Sequence, residues 1–85
     1  MAKILLVEDD LGISETIKSW LEKEKHTVES TASGLEGLDL LTHYSYDLVV
    51  LDWQLPDMMG PEIAKSVSKL RKGVSILMLT SKGQI

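Results

Sequence analysis

The stretch DLVVLDWQLPDMMGP, residues 47–61, runs from apolar residues into a carboxylate and then into a loop marked by Pro56, Gly60 and Pro61. The consecutive apolar residues Leu48 to Leu51 suit a strand covered on both faces, as in a parallel sheet. Asp52 closes that run, although a carboxylate is costly to bury. Gly60-Pro61 then reads as the start of a helix, because proline at a first helical position lacks only an N–H that would have no partner there. The stretch thus gives a strand, a loop and a helix, with an acid at the carboxyl end of the strand.

The same grammar repeats on either side. KILLVE (3–8) and SILMLT (75–80) are further continuous apolar runs and read as buried strands, while TVEST (27–31) alternates and suits a short edge strand. Asp10 reads as the cap of a first helix whose stripe is Ile13, Ile17, Trp20 and Leu21. Ser33 and Glu36 form an S-x-x-E capping box for a second helix through Leu35, Leu38 and Leu41. Ile63, Ala64, Val67 and Leu70 supply the buried face of the third, and Gly73 suits its end. The order βαβαβαβ specifies an α/β parallel sheet with helices on its faces and right-handed crossovers. A polar second strand on the outside and adjacent apolar strands 1 and 3 give the strand order 2-1-3-4.

Eighty-five residues allow one small domain, residues 1–85, with no repeat or linker. A formal charge of −4 argues against direct nucleic-acid binding, which needs a basic footprint. KLRKG (69–73) reads as a helix end. The chain has no cysteine, so disulfides and thiol nucleophiles are excluded. MAKILLVEDD becomes acidic too soon for a signal peptide or membrane span. A cytoplasmic setting without membrane association is therefore expected.

In open α/β sheets, sites form at the carboxyl ends of strands where the strand order reverses. The order 2-1-3-4 puts that reversal between strands 1 and 3, which brings Glu8, Asp9 and Asp52 together. Three carboxylates in one crevice repel, and either proton uptake or a cation must relieve them. All-oxygen ligation by a few carboxylates, a carbonyl and water suits Mg2+. A cation-loaded carboxylate is also a competent nucleophile toward phosphorus. Thr80, closing the fourth strand, offers a hydroxyl donor. Asp10, His26 and His43 read instead as helix-end residues. GLEG (34–37) matches no phosphate-binding loop.

The segments KILLVEDD, DLVVLDWQLPDMMG and SILMLTS, in this order and spacing, closely resemble the receiver domain of bacterial two-component response regulators. The resemblance spans the whole chain and implies a flavodoxin-like fold. It makes Asp52 the phosphoacceptor, with Asp9 and Asp52 ligating Mg2+ directly and Glu8 acting largely through water. It makes the backbone carbonyl of Gln54 a further ligand and Thr80 the hydroxyl that contacts the phosphoryl group. The side chains of Gln54 and Lys82 would modulate the lifetime of that group. The donor would be a sensor histidine kinase or a small acyl phosphate. Such a module is not an enzyme acting on a metabolite; at most it catalyses its own phosphorylation and dephosphorylation.

The chain also departs from the family pattern. A receiver continues through a fourth helix, a fifth strand ending in a lysine, and a fifth helix, and none of these follows SKGQI. Lys82 stands too close to Thr80, on the wrong strand, to replace that lysine. SILMLT has the composition of an interior strand yet lacks a following neighbour. A homodimer or higher assembly through the incomplete sheet is expected, with part of the Ile13–Leu21 stripe bare. A second reading is a truncated receiver fragment that self-associates and is not competent for phosphotransfer. A third, a metal-dependent hydrolase, would require an acid at position 54, where the sequence has glutamine.

Overall fold

A computed structural model describes residues 1–70 and 73–79 of the chain. Among them are β1 (Lys3–Val7), α1 (Leu11–Lys23), β2 (Thr27–Thr31), α2 (Gly34–His43), β3 (Leu48–Asp52), α3 (Gly60–Leu70) and β4 (Ser75–Leu79). The four strands are all parallel and lie in the order β2-β1-β3-β4. The order expected from the sequence is therefore the one observed.

Alternation along the strands divides the core in two, because successive side chains point to opposite sheet faces. Leu5, Val7, Val49 and Leu51 belong to one cluster with Leu41 of α2 and Ile63 and Val67 of α3. Ile4, Leu6, Val28 and Val50 form the other, on which Ile17 and Leu21 of α1 pack. Continuous apolar strands are needed because β1 and β3 are covered on both sides.

Each helix face differs in part from the one read in the sequence. In α2, Leu35 is 64% exposed, whereas Leu41 is fully buried. The helix turns Gly34 and Gly37 inward instead. A Cβ on Gly37 would lie 3.1 Å from Val7 Cγ2, and one on Gly34 would lie 2.9 Å from Ile63 Cδ1. The missing side chains let the helix approach the strands and α3, and a leucine count overlooks that freedom. In α1, Ile17 and Leu21 are partly buried and Ser14 is buried, but Ile13 and Trp20 are exposed and line an open groove with Gly12 and Thr16. Part of the α1 stripe is therefore bare, as the sequence led us to expect.

The composition of β4 suits a strand buried on both faces, whereas Ser75 and Leu77 are exposed and Ile76, Met78 and Leu79 are only partly buried. Among the described residues it pairs only with β3, and Leu77 is 53% exposed. In α3, Leu70 is likewise exposed rather than buried, while Ile63 and Val67 carry the helix. Thr80 and Lys82 lie outside the described residues.

The asymmetry in α2 gives a direct test. Leu41→Ala should destabilise the chain by about 2–5 kcal/mol in urea unfolding, the range for a buried leucine. Leu35→Ala should change it by no more than about 0.5 kcal/mol.

Candidate functional site

The site grows from the pairing of β1 with β3. Their parallel register, Ile4 with Leu48 through Val7 with Leu51, brings the carboxyl ends of both strands to one edge. Glu8 and Asp9 follow β1 directly, and Asp52 is the last residue of β3. One carboxylate oxygen from each of Glu8, Asp9 and Asp52 lies within 4.8 Å of the other two. The cluster inferred from strand order is thus present. It stands at the switch point, where crossovers leave a crevice.

The three acids differ in their surroundings. Asp9 is exposed, whereas Glu8 and Asp52 are each only 5% exposed. Asp52 Oδ1 is buried and has no hydrogen-bond partner. Such an oxygen is costly unless something else satisfies it, so this atom points to a ligand. Glu8 accepts a bond of 3.1 Å from the Asp10 N–H and donates its own N–H to Thr31 O at 3.0 Å. Burial pushes the Glu8 carboxyl up to about 7. The Asp10 N–H opposes that shift, while Asp52, through hydrogen bonding and charge, and the charge of Asp9 add to it. Asp10 itself caps α1, accepting from the Ile13 N–H at 3.0 Å, as expected for a helix-start residue.

The loop after Asp52 is tightly closed. Trp53 donates its N–H to Leu79 O at 2.9 Å and accepts from the Gly60 N–H at 2.7 Å. Gln54 bridges to Met59, and the Leu55 N–H reaches Met58 O at 3.0 Å. A Cβ on Gly60 would come within 2.4 Å of the Asp52 carbonyl oxygen, so glycine is required by close backbone approach. The Gln54 side chain is exposed beside the cluster's loop. Thr80 and Lys82, the other two residues singled out in the sequence, fall outside the described residues.

Asp57 was not singled out. Its carboxylate accepts from the N–H groups of Gly34 and Leu35, each at 2.9 Å, and from Ser33 Oγ at 3.0 Å. These bonds hold its carboxyl below the ordinary aspartate range. Pro56-Asp57 is a turn signal in the sequence, but nothing local reveals a partner more than 20 residues upstream. The capping box is also only half formed. Ser33 Oγ accepts from the Glu36 N–H at 3.2 Å, but the Ser33 N–H goes to Thr31 Oγ1 at 3.3 Å. The Glu36 carboxylate accepts from that same Thr31 hydroxyl instead. Thr31 stands between the two halves of the expected reciprocal pair.

Comparison with known proteins agrees with this geometry. The response regulator receiver domain family matches residues 4–85. The cell cycle transcriptional regulator CtrA of Caulobacter vibrioides is 36% identical over 83 residues, 98% of this chain and 36% of the relative. The chain therefore spans little more than a third of the curated relatives it matches. The non-phosphorylated HemR receiver domain from Leptospira biflexa superposes with a TM-score of 0.89 at 40% identity, covering 100% of this chain and 68% of that one. TrrA from Thermotoga maritima, solved in complex with Mg2+–BeF, gives 0.91 at 34% identity, covering 98% and 72%. The chain belongs to the response regulator receiver domain family, with four parallel strands in the flavodoxin-like order. Among the described residues no helix is long and apolar enough to cross a membrane.

Two outcomes follow from the site. Gly60→Ala should lower stability by about 1–3 kcal/mol, because the added Cβ overlaps backbone that cannot rotate away. The raised carboxyl of Glu8 means that the native chain holds its proton more tightly than the unfolded chain does. Its contribution is full below about 4.5 and is lost as pH rises through about 7. In a chelating buffer the urea midpoint should fall across that window, and Glu8→Gln should flatten the fall. Asp57 acts with the opposite sign but only below its ordinary value of 3.8.

Proposed function

We propose that the chain is a phosphoacceptor signalling module of a two-component phosphorelay, in which Asp52 takes a phosphoryl group from a sensor histidine kinase. The observation that carries this is the buried, unpartnered Asp52 Oδ1 inside a three-carboxylate cluster. An all-oxygen donor set with one exposed and two buried acids fits Mg2+, which binds through a few carboxylates and keeps water. Asp9 and Asp52 would hold it directly, Glu8 largely through water, and the Gln54 carbonyl would complete the protein's share. When bound, the ion would neutralise charge on the carboxylates and on the transferring group.

The chain's own residues do the rest. An Asp52 carboxylate oxygen attacks phosphorus in line, forming the acyl-phosphate P–O bond. The P–N bond of a phosphohistidine breaks, or the P–O bond of a small acyl phosphate, and its electron pair leaves with the imidazole or the carboxylate. Little else is required, because phosphoryl transfer depends mainly on positioning and charge neutralisation. Thr80 is proposed to donate to a phosphoryl oxygen, and Gln54 and Lys82 to set the lifetime of the product. The product is the modified protein itself, so the module acts as a signal carrier and not as a metabolic enzyme. The module is proposed to work in a cytoplasmic setting, and its formal charge of −4 argues against direct nucleic-acid contact.

A second reading is favoured by a separate observation. Leu77 on β4 and Ile13 and Trp20 on α1 are large apolar side chains open to solvent. They support the alternative of a receiver fragment that self-associates through its exposed sheet, as a homodimer or higher assembly, and is not competent for phosphotransfer.

Incubation with Mg2+ and acetyl phosphate should add one phosphoryl group, detected as intact mass, to the wild-type chain and none to Asp52→Ala. A wild-type chain that stays unmodified while light scattering shows a stable assembly would favour the second reading.

A further inference from the structure

The acids come from two strand ends far apart in sequence, and a run of hydrogen bonds across the start of α2, completed by the backbone of the loop 53–59, ties those ends together. From the β1 side, the Glu8 N–H binds Thr31 O, and the Thr31 hydroxyl accepts from the Ser33 N–H. Ser33 Oγ then donates to Asp57, whose carboxylate also takes the Gly34 and Leu35 N–H groups. From Asp57 the closed loop of residues 53–59 runs back to Gln54 and to Gly60, which lies against the Asp52 carbonyl. The first N–H groups of α2, Gly34 to Gly37, all find partners in this set: Asp57, Ser33 Oγ or Ser33 O. The α2 start therefore works as a clamp on the crevice and not merely as a capped helix end.

We infer that Asp57 is a positioning residue: by fixing the loop 53–59 to the Thr31–Ser33 corner, it sets the placement of Gln54 and Asp52 relative to Glu8 and Asp9. This rests on the phosphoacceptor reading above, and it goes further by assigning a role to a side chain outside the acidic cluster. The bidentate geometry makes the role specific. One Asp57 oxygen takes Gly34, and the other takes Leu35 and Ser33. Asparagine keeps one acceptor oxygen but turns an amide toward the remaining donors, whereas alanine keeps none. Gly34 belongs to the same device, since a Cβ there would press on Met58 Cβ at 3.1 Å and push the loop off the helix.

The test compares Asp57→Ala and Asp57→Asn with Tyr46→Phe in the 85-residue chain. The Tyr46 hydroxyl bonds Glu29 at 2.5 Å outside the acidic cluster and its loop, so this variant controls for lost stability alone. Amide hydrogen exchange at Leu55 and Gly60 reports the loop, and calorimetric titration with Mg2+ reports the cluster. Outer groups that hold metal-binding residues in place typically carry tenfold or more in affinity. Asp57→Ala should speed exchange at both amides and weaken Mg2+ binding about tenfold, Asp57→Asn should fall between it and wild type, and Tyr46→Phe should do neither. Unchanged exchange in Asp57→Ala would overturn the inference, as would faster exchange with wild-type Mg2+ affinity, or equal weakening by Tyr46→Phe. A wild-type chain that binds no Mg2+ would remove the phosphoacceptor reading and this inference together, a result seen before any variant is compared.

Discussion

Two buried carboxyl groups at the ends of neighbouring parallel strands are the constraint on which the rest of this molecule turns. Glu8 and Asp52 meet because β1 and β3 pair directly, and they pair directly because the strand order reverses between them. Burying two acids side by side costs stability unless a proton or a cation intervenes. The raised carboxyl of Glu8 is the signature of that cost, and the unpartnered Asp52 oxygen marks where relief is needed. Stability is given up at the acidic cluster, where the proposed phosphoacceptor stands.

The surrounding features restrain this pair. Gly60 lets the chain fold back against the Asp52 carbonyl, while Gly34 and Gly37 let α2 close on the loop and on Val7. Asp57 and Thr31 then fasten the loop and the second strand to the start of that helix. At the other end of the sheet, the Lys3 N–H binds Asp47 and the Lys3 ammonium lies 4.9 Å from the Tyr46 ring centroid.

Much of this was legible in the residues. Continuous apolar strands, the Asp10 cap and Pro61 at a helix start fixed the element order, and a polar second strand fixed its place at the edge. From that order alone the meeting of Glu8, Asp9 and Asp52 could be deduced, because strand ends and switch points are properties of topology. What escaped was what depends on three-dimensional closeness. Leu35 counted as core because its spacing is helical, yet the glycines decide which face of α2 turns inward. The Glu36 half of the capping box lost to a competing hydroxyl from Thr31, five residues away. Asp57 carries no signal of its role in the local sequence, since its partners lie at the start of α2. β4 looked buried on both faces by composition, yet Ser75 and Leu77 are exposed and its other residues only partly buried.

The central claim is that the cluster of Glu8, Asp9 and Asp52 is a cation site with Asp52 at its heart. The most direct measurement is urea unfolding of the wild-type chain and Asp52→Ala above pH 8, with and without saturating Mg2+. Binding to the native state alone adds about 2.7 kcal/mol at a hundredfold excess over Kd. The account predicts a gain of that order for the wild type and none for Asp52→Ala. An unmoved wild-type midpoint, or an equal gain in both proteins, would contradict it.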